Sequence, residues 1–278
     1  MPTFTVVSEI GLNFNGFLTS AIELLDISKE CGVSTAKFQK RTPELSTPRS
    51  EWDKLRVPPW GGEPIRYIEY RQGIELSVDN YKVIDAHCKE IGLSWTVSIW
   101  DTQALEDMKP FDVPYWKIPS AHATNHALLD AVVATGKPIM LSCGMSTELE
   151  IDESVGIIKY GNSPSLLHCN SSYPCDDGEL NLSLIPKMQD RYGLPVGFSN
   201  HSRSPFPAIE AMAMGATVVE AHLTRDRSLA GSDHATSLEP AGMALVVREA
   251  RRLEKAWGDG ERRVWPSEFE TRKRLRGV

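Results

Sequence analysis

The sequence has no CxxC pair, no basic block and no apolar run approaching the ~18 residues of a membrane-spanning helix. Its five cysteines, Cys31, Cys88, Cys143, Cys169 and Cys175, are odd in number and scattered. That pattern excludes a disulfide framework or a cysteine zinc site and reads as reduced, mostly buried thiols in a cytoplasmic protein. No motif marks any of them as a nucleophile. The start, MPTFTVVSEIG, has no basic region and meets an acid at Glu9, so no signal peptide is expected. Basic residues number 30 against 37 acidic, a net charge of −7. A nucleic-acid binder would show the opposite balance, and Arg272-Lys273-Arg274 is too short to reverse it. No glycine-rich phosphate loop follows the first apolar run, because SEIGLNFNG is not GxGxxG.

What is present is ordinary globular material: 278 residues, 41% hydrophobic and 24% charged, enough for one large domain or two small ones. Eight β-branched runs read as strands: Phe4–Glu9, Thr35–Gln39, Leu93–Ser98, Tyr115–Pro119, Pro138–Ser142, Leu166–Asn170, Pro195–Ser199 and Thr217–His222. Amphipathic stretches lie between them, from AIELLDISKECG to AGMALVVREARRLEKAWG. Several of these end in glycine (Gly32, Gly92, Gly136, Gly161, Gly193, Gly215), the residue expected just past a helix. Near-continuous apolar strands alternating with helices imply a parallel sheet buried on both faces. An open doubly wound sheet is one solution. The count of eight and the missing glycine loop favour the other, an α/β fold of the (β/α)8 TIM-barrel type, with residues 1–278 forming a single catalytic domain. Residues 40–75, Pro-rich and aromatic, are too long for a bare βα loop. They would follow the second strand on the catalytic face, either as a lid or as a surface excursion with Trp60 and Tyr70 packed over the barrel.

Barrel chemistry collects at the C-terminal ends of strands. Those ends carry Glu9, Lys37, Gln39, Ser98, Asp101, Lys117, Ser120, Ser142, Ser171, Tyr173, Ser199, His201, Glu220 and His222. Lys37 and Lys117 sit inside apolar strands. A lysine there needs an anion, supplied either by an internal carboxylate or by a phosphate or carboxylate ligand helped by the serines. His201 and His222 end neighbouring strands and could converge on a divalent ion, although core histidines are as common. His168 reads as structural and His87 as a surface residue. Asp233 and His234, in GSDHATSLEP, follow the last strand in a loop suited to substrate contact. Ser237 or Glu239 is expected near the cap of the final helix.

Together, SEIGLNFNG, AKFQKRTPEL, YWKIPSA, PIMLSCGMST, LLHCNSSYP, VGFSNHS, VEAHLTRDRSLAGSDHATSLEP and WPSE resemble the sialic acid (N-acetylneuraminate) synthase family of phosphoenolpyruvate-condensing enzymes. The resemblance runs over almost the whole chain and implies the same barrel. It implies condensation of phosphoenolpyruvate with an open-chain aldose such as N-acetylmannosamine, with a divalent ion, Mn2+ or Mg2+, polarising the aldehyde. By position, Lys37, Ser98, Lys117, Ser120, Ser142, Ser171 and Ser199 would hold phosphoenolpyruvate. His201 and His222 would hold the metal. Gln39, His122, Tyr173 and Asp233 would contact the sugar. Glu9, Lys117 and His222 would be catalytic, with Glu9 the proton carrier.

The chain departs from the family pattern at Phe14, His122, Ser171, Asn200 and Ala221. Several of these fall on the sugar side, so the preferred aldose is expected to differ while condensation is retained. The chain stops at RKRLRGV, so the resemblance implies a form without the family's C-terminal antifreeze-like (SAF) domain and without the domain-swapped dimer built on it. A homo-oligomer of another kind stays open. Arg66, Arg71 or an arginine near the C terminus is then the candidate for the arginine that domain supplies. Competing readings are a Kdo-like synthase using another aldose, a catalytically inactive sugar- or phosphate-binding relative, and a metal-dependent hydrolase. The hydrolase would place His-x-His where this first strand has Ser8-Glu9-Ile10. Nucleic acid and membrane partners are not expected.

Overall fold

The computed structural model describes residues 3–277. Its strands are Thr5–Gly11, Thr35–Lys40, Ser94–Ile99, Trp116–Ile118, Pro138–Ser142, Asn162–His168, Val196–Asn200 and Val218–His222, here β1 to β8 in chain order. Each pairs in parallel with its sequence neighbour, and β8 closes on β1, giving a closed (β/α)8 barrel. No helix among the described residues is long and apolar enough to cross a membrane.

The period of two along each strand sorts the side chains. In β2, Ala36 and Phe38 join the apolar core under the helices, while Lys37 and Gln39 line a cavity at the barrel mouth. The register then builds a layer from different strands: Glu9 stands opposite Lys37 on one side and His222 on the other, and Glu220 stands opposite Ser199. The helices form where the amphipathic stretches predict them. Ser77 and Thr147 cap the helices Val78–Ile91 and Glu148–Ile158 by accepting from the backbone three residues on. Glu239 is the N-cap residue of the final barrel helix, Pro240–Ala256.

Two expectations are corrected. The sixth strand begins at Asn162, four residues before Leu166, because its polar half, NSPS, pairs through a register shift against Pro138 and Met140 and shows no hydrophobic pattern. Five of the six helix-ending glycines take a positive φ, and Gly161 does not. Its place is fixed by packing: a Cβ there would meet Ile139 Cδ1 at 2.6 Å and the Ile158 carbonyl at 3.1 Å.

Residues 40–75 carry their own structure, a two-stranded antiparallel ribbon (Leu55–Arg56 with Ile65–Arg66) and the helix Tyr67–Ile74. Trp60 stacks on Tyr70 at 6.3 Å and Tyr70 on Tyr67 at 5.8 Å, with Ile68, Tyr70 and Ile74 buried beneath. Both ends of the segment are tied down: Arg41 pairs with Glu75, and Lys40 donates to the Leu76 carbonyl at 3.0 Å.

Candidate active site

The strand ends enclose a cavity of about 180 Å³. At its floor lie two buried lysines and two buried carboxylates. Lys37 contacts Glu9 directly and stands 3.5 Å from Glu220 Oε2, while Lys117 stands 3.7 Å from Glu220 Oε1. Ser98 accepts from Lys37 at 2.8 Å and Ser199 donates to Glu220 at 3.0 Å. Both lysines therefore have internal carboxylate partners, the structural alternative read from the sequence, and both line the cavity.

The electrostatics separate the two ammonium groups. Burial opposes charge on Lys37, but Glu220 and Glu9 together outweigh it and raise its pKa. Burial also opposes charge on Lys117. There Glu220 is the main opposing influence, with Glu9 and Cys169 adding less, Lys37 works against them, and the pKa falls. Burial would push the Glu220 carboxyl up, yet Lys117 and Lys37 hold it well below the usual carboxylate range. Lys117 is thus the under-compensated cation of the cluster. Glu220, one of the strand-end residues read from the sequence, lines the cavity, although the family resemblance implies no role for it.

Ser120, Ser142 and Ser171 also line the cavity. Ser120 accepts from the Gly144 N–H at 3.0 Å and lies 3.2 Å from the Cys169 thiol. A Cβ on Gly144 would strike Ser120 Oγ and Cys169 Sγ, each at 2.9 Å, and Ser171 Oγ as well, so three polar side chains converge on that glycine. All five cysteines are free and buried.

At the mouth, His201 and His222 approach with ring centroids 5.8 Å apart. The His201 Nδ1–H donates to the Asn170 carbonyl, which leaves Nε2 to accept from the Tyr173 hydroxyl at 2.9 Å. Burial and the neighbouring His222 lower the His201 pKa to about 4, so its ring is neutral at pH 7. His222 Nδ1 is buried without a hydrogen-bond partner, 3.9 Å from Asp233 Oδ2. Among the described residues no group of three or more His, Cys, Asp or Glu has metal-binding geometry. Two imidazoles, one of them with an unpartnered nitrogen, nevertheless suit an ion that takes its remaining ligands from substrate and water.

On the sugar side, Gln39 and Tyr173 line the cavity, and His122 and Asp233 do not. The turn Ser120–His122 sends the His122 ring edge-on against Trp100, at 5.4 Å, and Trp100 lines the wall in its place. Trp100 was not among the residues singled out, since an aromatic side chain one residue past a strand reads as packing. His234 is buried and bonds Thr224 at 2.7 Å, away from the cavity. Arg66 pairs with Asp53 and Glu69 at the surface, Arg71 lies over the Tyr67 ring, and the C-terminal arginines are exposed; none of them lines the cavity. Phe14 packs on Phe38, and Asn200 braces its own loop by donating to the Ser204 carbonyl at 2.8 Å. Ala221 is buried. His168 bonds the Leu180 carbonyl at 2.8 Å, the structural role read for it, and half-buried His87 pairs with Asp26.

The NeuB family model matches residues 24–262, most of the chain. The protein belongs to the NeuB family. It is 32% identical to the N-acetylneuraminate-9-phosphate synthase of Homo sapiens over 99% of this chain and 76% of that one. It is 30% identical to the N,N'-diacetyllegionaminic acid synthase of Campylobacter jejuni, over 96% and 81%. Among solved structures, the N-acetylneuraminic acid synthetase of Leptospira borgpetersenii superposes with a TM-score of 0.86 at 29% identity, covering 99% of this chain and 93% of that one. The NeuB-family chain is therefore a phosphoenolpyruvate-dependent enzyme of the sialic acid synthase type, a transferase of carbohydrate biosynthesis acting on small-molecule substrates.

Proposed function

We propose that the enzyme condenses phosphoenolpyruvate with an open-chain N-acylated aldose, N-acetylmannosamine or an analogue, and water, to give a 2-keto-3-deoxy nonulosonic acid and inorganic phosphate. The observation that carries this is that Lys117, whose charge burial and Lys37 disfavour, lines one cavity with Ser120, Ser142 and Ser171: a bound dianion would bring further negative charge to it.

In this reading Lys37, Lys117, Ser98, Ser120, Ser142, Ser171 and Ser199 hold the phosphate and carboxylate of phosphoenolpyruvate. Its methylene carbon forms a bond to the aldehyde carbon, and the aldehyde oxygen takes a proton to become a hydroxyl. Water adds to the carbon bearing the phosphate, one of its protons balancing the one taken up by the aldehyde oxygen, and cleavage of the C–O bond to phosphate leaves the ketone as the second proton departs with the phosphate. Glu9, between Lys37 and Gln39, is the proton carrier. Gln39, Tyr173 and, from the rim, Asp233 orient the aldose, with His122 setting the Trp100 wall. His201 and His222 would hold the divalent ion, Mn2+ or Mg2+, which when bound would supply Lewis-acid polarisation of the aldehyde.

The test is phosphate release from phosphoenolpyruvate by the manganese-loaded enzyme, with a panel of N-acylated hexoses and unsubstituted aldoses, and mass spectrometry of the product. Release with an N-acylated hexose supports the proposal. Release only with a pentose or unsubstituted hexose replaces the acceptor with that of a Kdo-like synthase. No release with any of them refutes condensation.

A further inference from the structure

Arg41 lies one residue beyond β2, fully buried and outside the cavity wall. Its Nε pairs with Glu75 Oε1 at 2.8 Å, and its backbone N–H donates to Glu75 Oε2 at 3.3 Å. The guanidinium lies 3.9 Å over the Trp100 ring, and Nη2 donates to Gln39 Oε1. The last of these contacts removes an ambiguity. A glutamine amide has one accepting end and one donating end, and a guanidinium can only donate. Arg41 therefore claims the Gln39 oxygen and leaves the nitrogen to face Glu9, where Nε2 donates to Oε1 at 2.8 Å. Turned the other way, the amide would set its carbonyl against the Glu9 carboxylate and leave Arg41 without an acceptor on that side.

We infer that Arg41 is a positioning residue for the condensation: it locks the Gln39 amide in the orientation that fixes Glu9, and Glu75 is the counter-charge that keeps Arg41 in place. The catalytic part of this rests on the reading of Glu9 as proton carrier. A second observation joins the long segment to the same device. Glu75 immediately follows its helix, so the Arg41–Glu75 pair ties the two ends of residues 40–75 together and links them through Gln39 to the Glu9 carboxylate.

Glu75 makes the clasp sensitive to pH. The groups facing it are Arg41 and Lys40 at the end of β2, Asp101 after β3 and Tyr81 on the helix Val78–Ile91. Burial raises its carboxyl to about 7; Arg41 and Lys40 oppose that rise and Asp101 adds to it. Above that pH the carboxylate holds Arg41 by charge, and below it only by hydrogen bonding.

The experiment compares wild type with Arg41→Met, Arg41→Lys and Glu75→Gln, by phosphate release with an aldose the wild type turns over and by crystal structure. Arg41→Met should lower kcat about 100-fold while KM for phosphoenolpyruvate changes less than about twofold, as expected when a reacting group is misplaced and binding is not. Arg41→Lys should recover part of the loss, since an ammonium can donate to Gln39 but lacks the fork. In crystals of Arg41→Met, Gln39 should leave Glu9. Wild-type kcat should rise between about pH 6 and pH 8, and Glu75→Gln should be flat there at a lower plateau. Wild-type kcat in Arg41→Met, or Gln39 still on Glu9 in its crystals, overturns the role of Arg41. A Glu75→Gln enzyme with the wild-type rise overturns the role of Glu75. If the wild type releases no phosphate with any aldose, the condensation reading fails instead, and the position of Gln39 in the variant crystals still decides the clasp. Should Arg41→Met not fold, Arg41→Lys with Gln39 displaced and kcat lowered supports the clasp, and with Gln39 and kcat unchanged it refutes it.

Discussion

Glu220 Oε2 stands 3.5 Å from Lys37 Nζ inside the barrel, and the other oxygen of the same carboxylate faces Lys117. One buried carboxylate thus serves two buried lysines, and Glu9 is a second partner of Lys37. Replacing Glu220 by Gln leaves Lys117 without its counter-charge at nearly unchanged volume. Removing one partner of a buried pair costs about 3–5 kcal/mol. Urea denaturation of Glu220→Gln should show a loss of that order at pH 7. Saturating phosphoenolpyruvate should restore more stability to the variant than to wild type, because a bound dianion takes over from the missing carboxylate. An equal ligand effect in both proteins would count against Lys117 as a phosphate contact.

Gly144 tests the hydroxyl wall. Ser120, Ser171 and Cys169 crowd the space a Cβ would fill, and Gly144 donates its N–H to Ser120. Gly144→Ala must push these groups apart. Overpacking of this kind costs about 1–3 kcal/mol. Calorimetry should show phosphoenolpyruvate affinity falling at least about tenfold, since about 1.4 kcal/mol of lost interaction is a factor of ten. Aldose KM, measured at saturating phosphoenolpyruvate, should move much less.

The barrel was legible because its signal is local and repeated: eight apolar runs, each followed by a helix with a glycine stop. Most of the cavity was legible for a related reason. The period of two that sends Ala36 and Phe38 outward must send Lys37 and Gln39 inward. What the strand ends could not state was set by distance along the chain. Glu220 stands among those ends, but its contact with Lys37 follows from β8 closing on β1, and no pattern within β8 states that neighbour. Arg41 and Glu75 are separated by the whole long segment, so their pairing appears only once that segment folds back. His122 failed to reach the cavity for a local reason, a 3-10 turn that swings its ring onto Trp100.

Tyr173 lets the metal and aldose assignments be tested apart. Its hydroxyl donates to His201 Nε2, the nitrogen that would face an ion, so hydroxyl and ion compete for one lone pair. Tyr173→Phe should therefore leave manganese affinity unchanged or tighter by isothermal titration. The same change should raise aldose KM about tenfold, the loss of roughly one hydrogen bond. His222→Ala, which removes a ligand outright, should abolish metal-dependent turnover. A Tyr173→Phe enzyme with weakened manganese binding and unchanged aldose KM would reverse the two assignments.

Glu75 imposes a pH dependence on stability opposite to the one it imposes on activity. Burial raises its carboxyl from 4.5 to about 7 in the folded protein. Between these values the native state holds a proton that the unfolded chain has released, so stability falls as pH rises. The contribution is fully present below about pH 4.5 and gone above about pH 7, and at roughly 1.4 kcal/mol per unit it amounts to about 3 kcal/mol. Denaturation midpoints of wild type and Glu75→Gln should therefore converge on one pH slope above pH 7 and diverge below it, where only the wild type gains. Identical slopes from pH 5 to 8 would show that the buried carboxyl does not titrate there, and that Arg41 compensates it fully. The ionised clasp that holds Arg41 on Gln39 is thus the less stable form of the fold, and the enzyme gives up stability near neutrality to keep Glu9 in place.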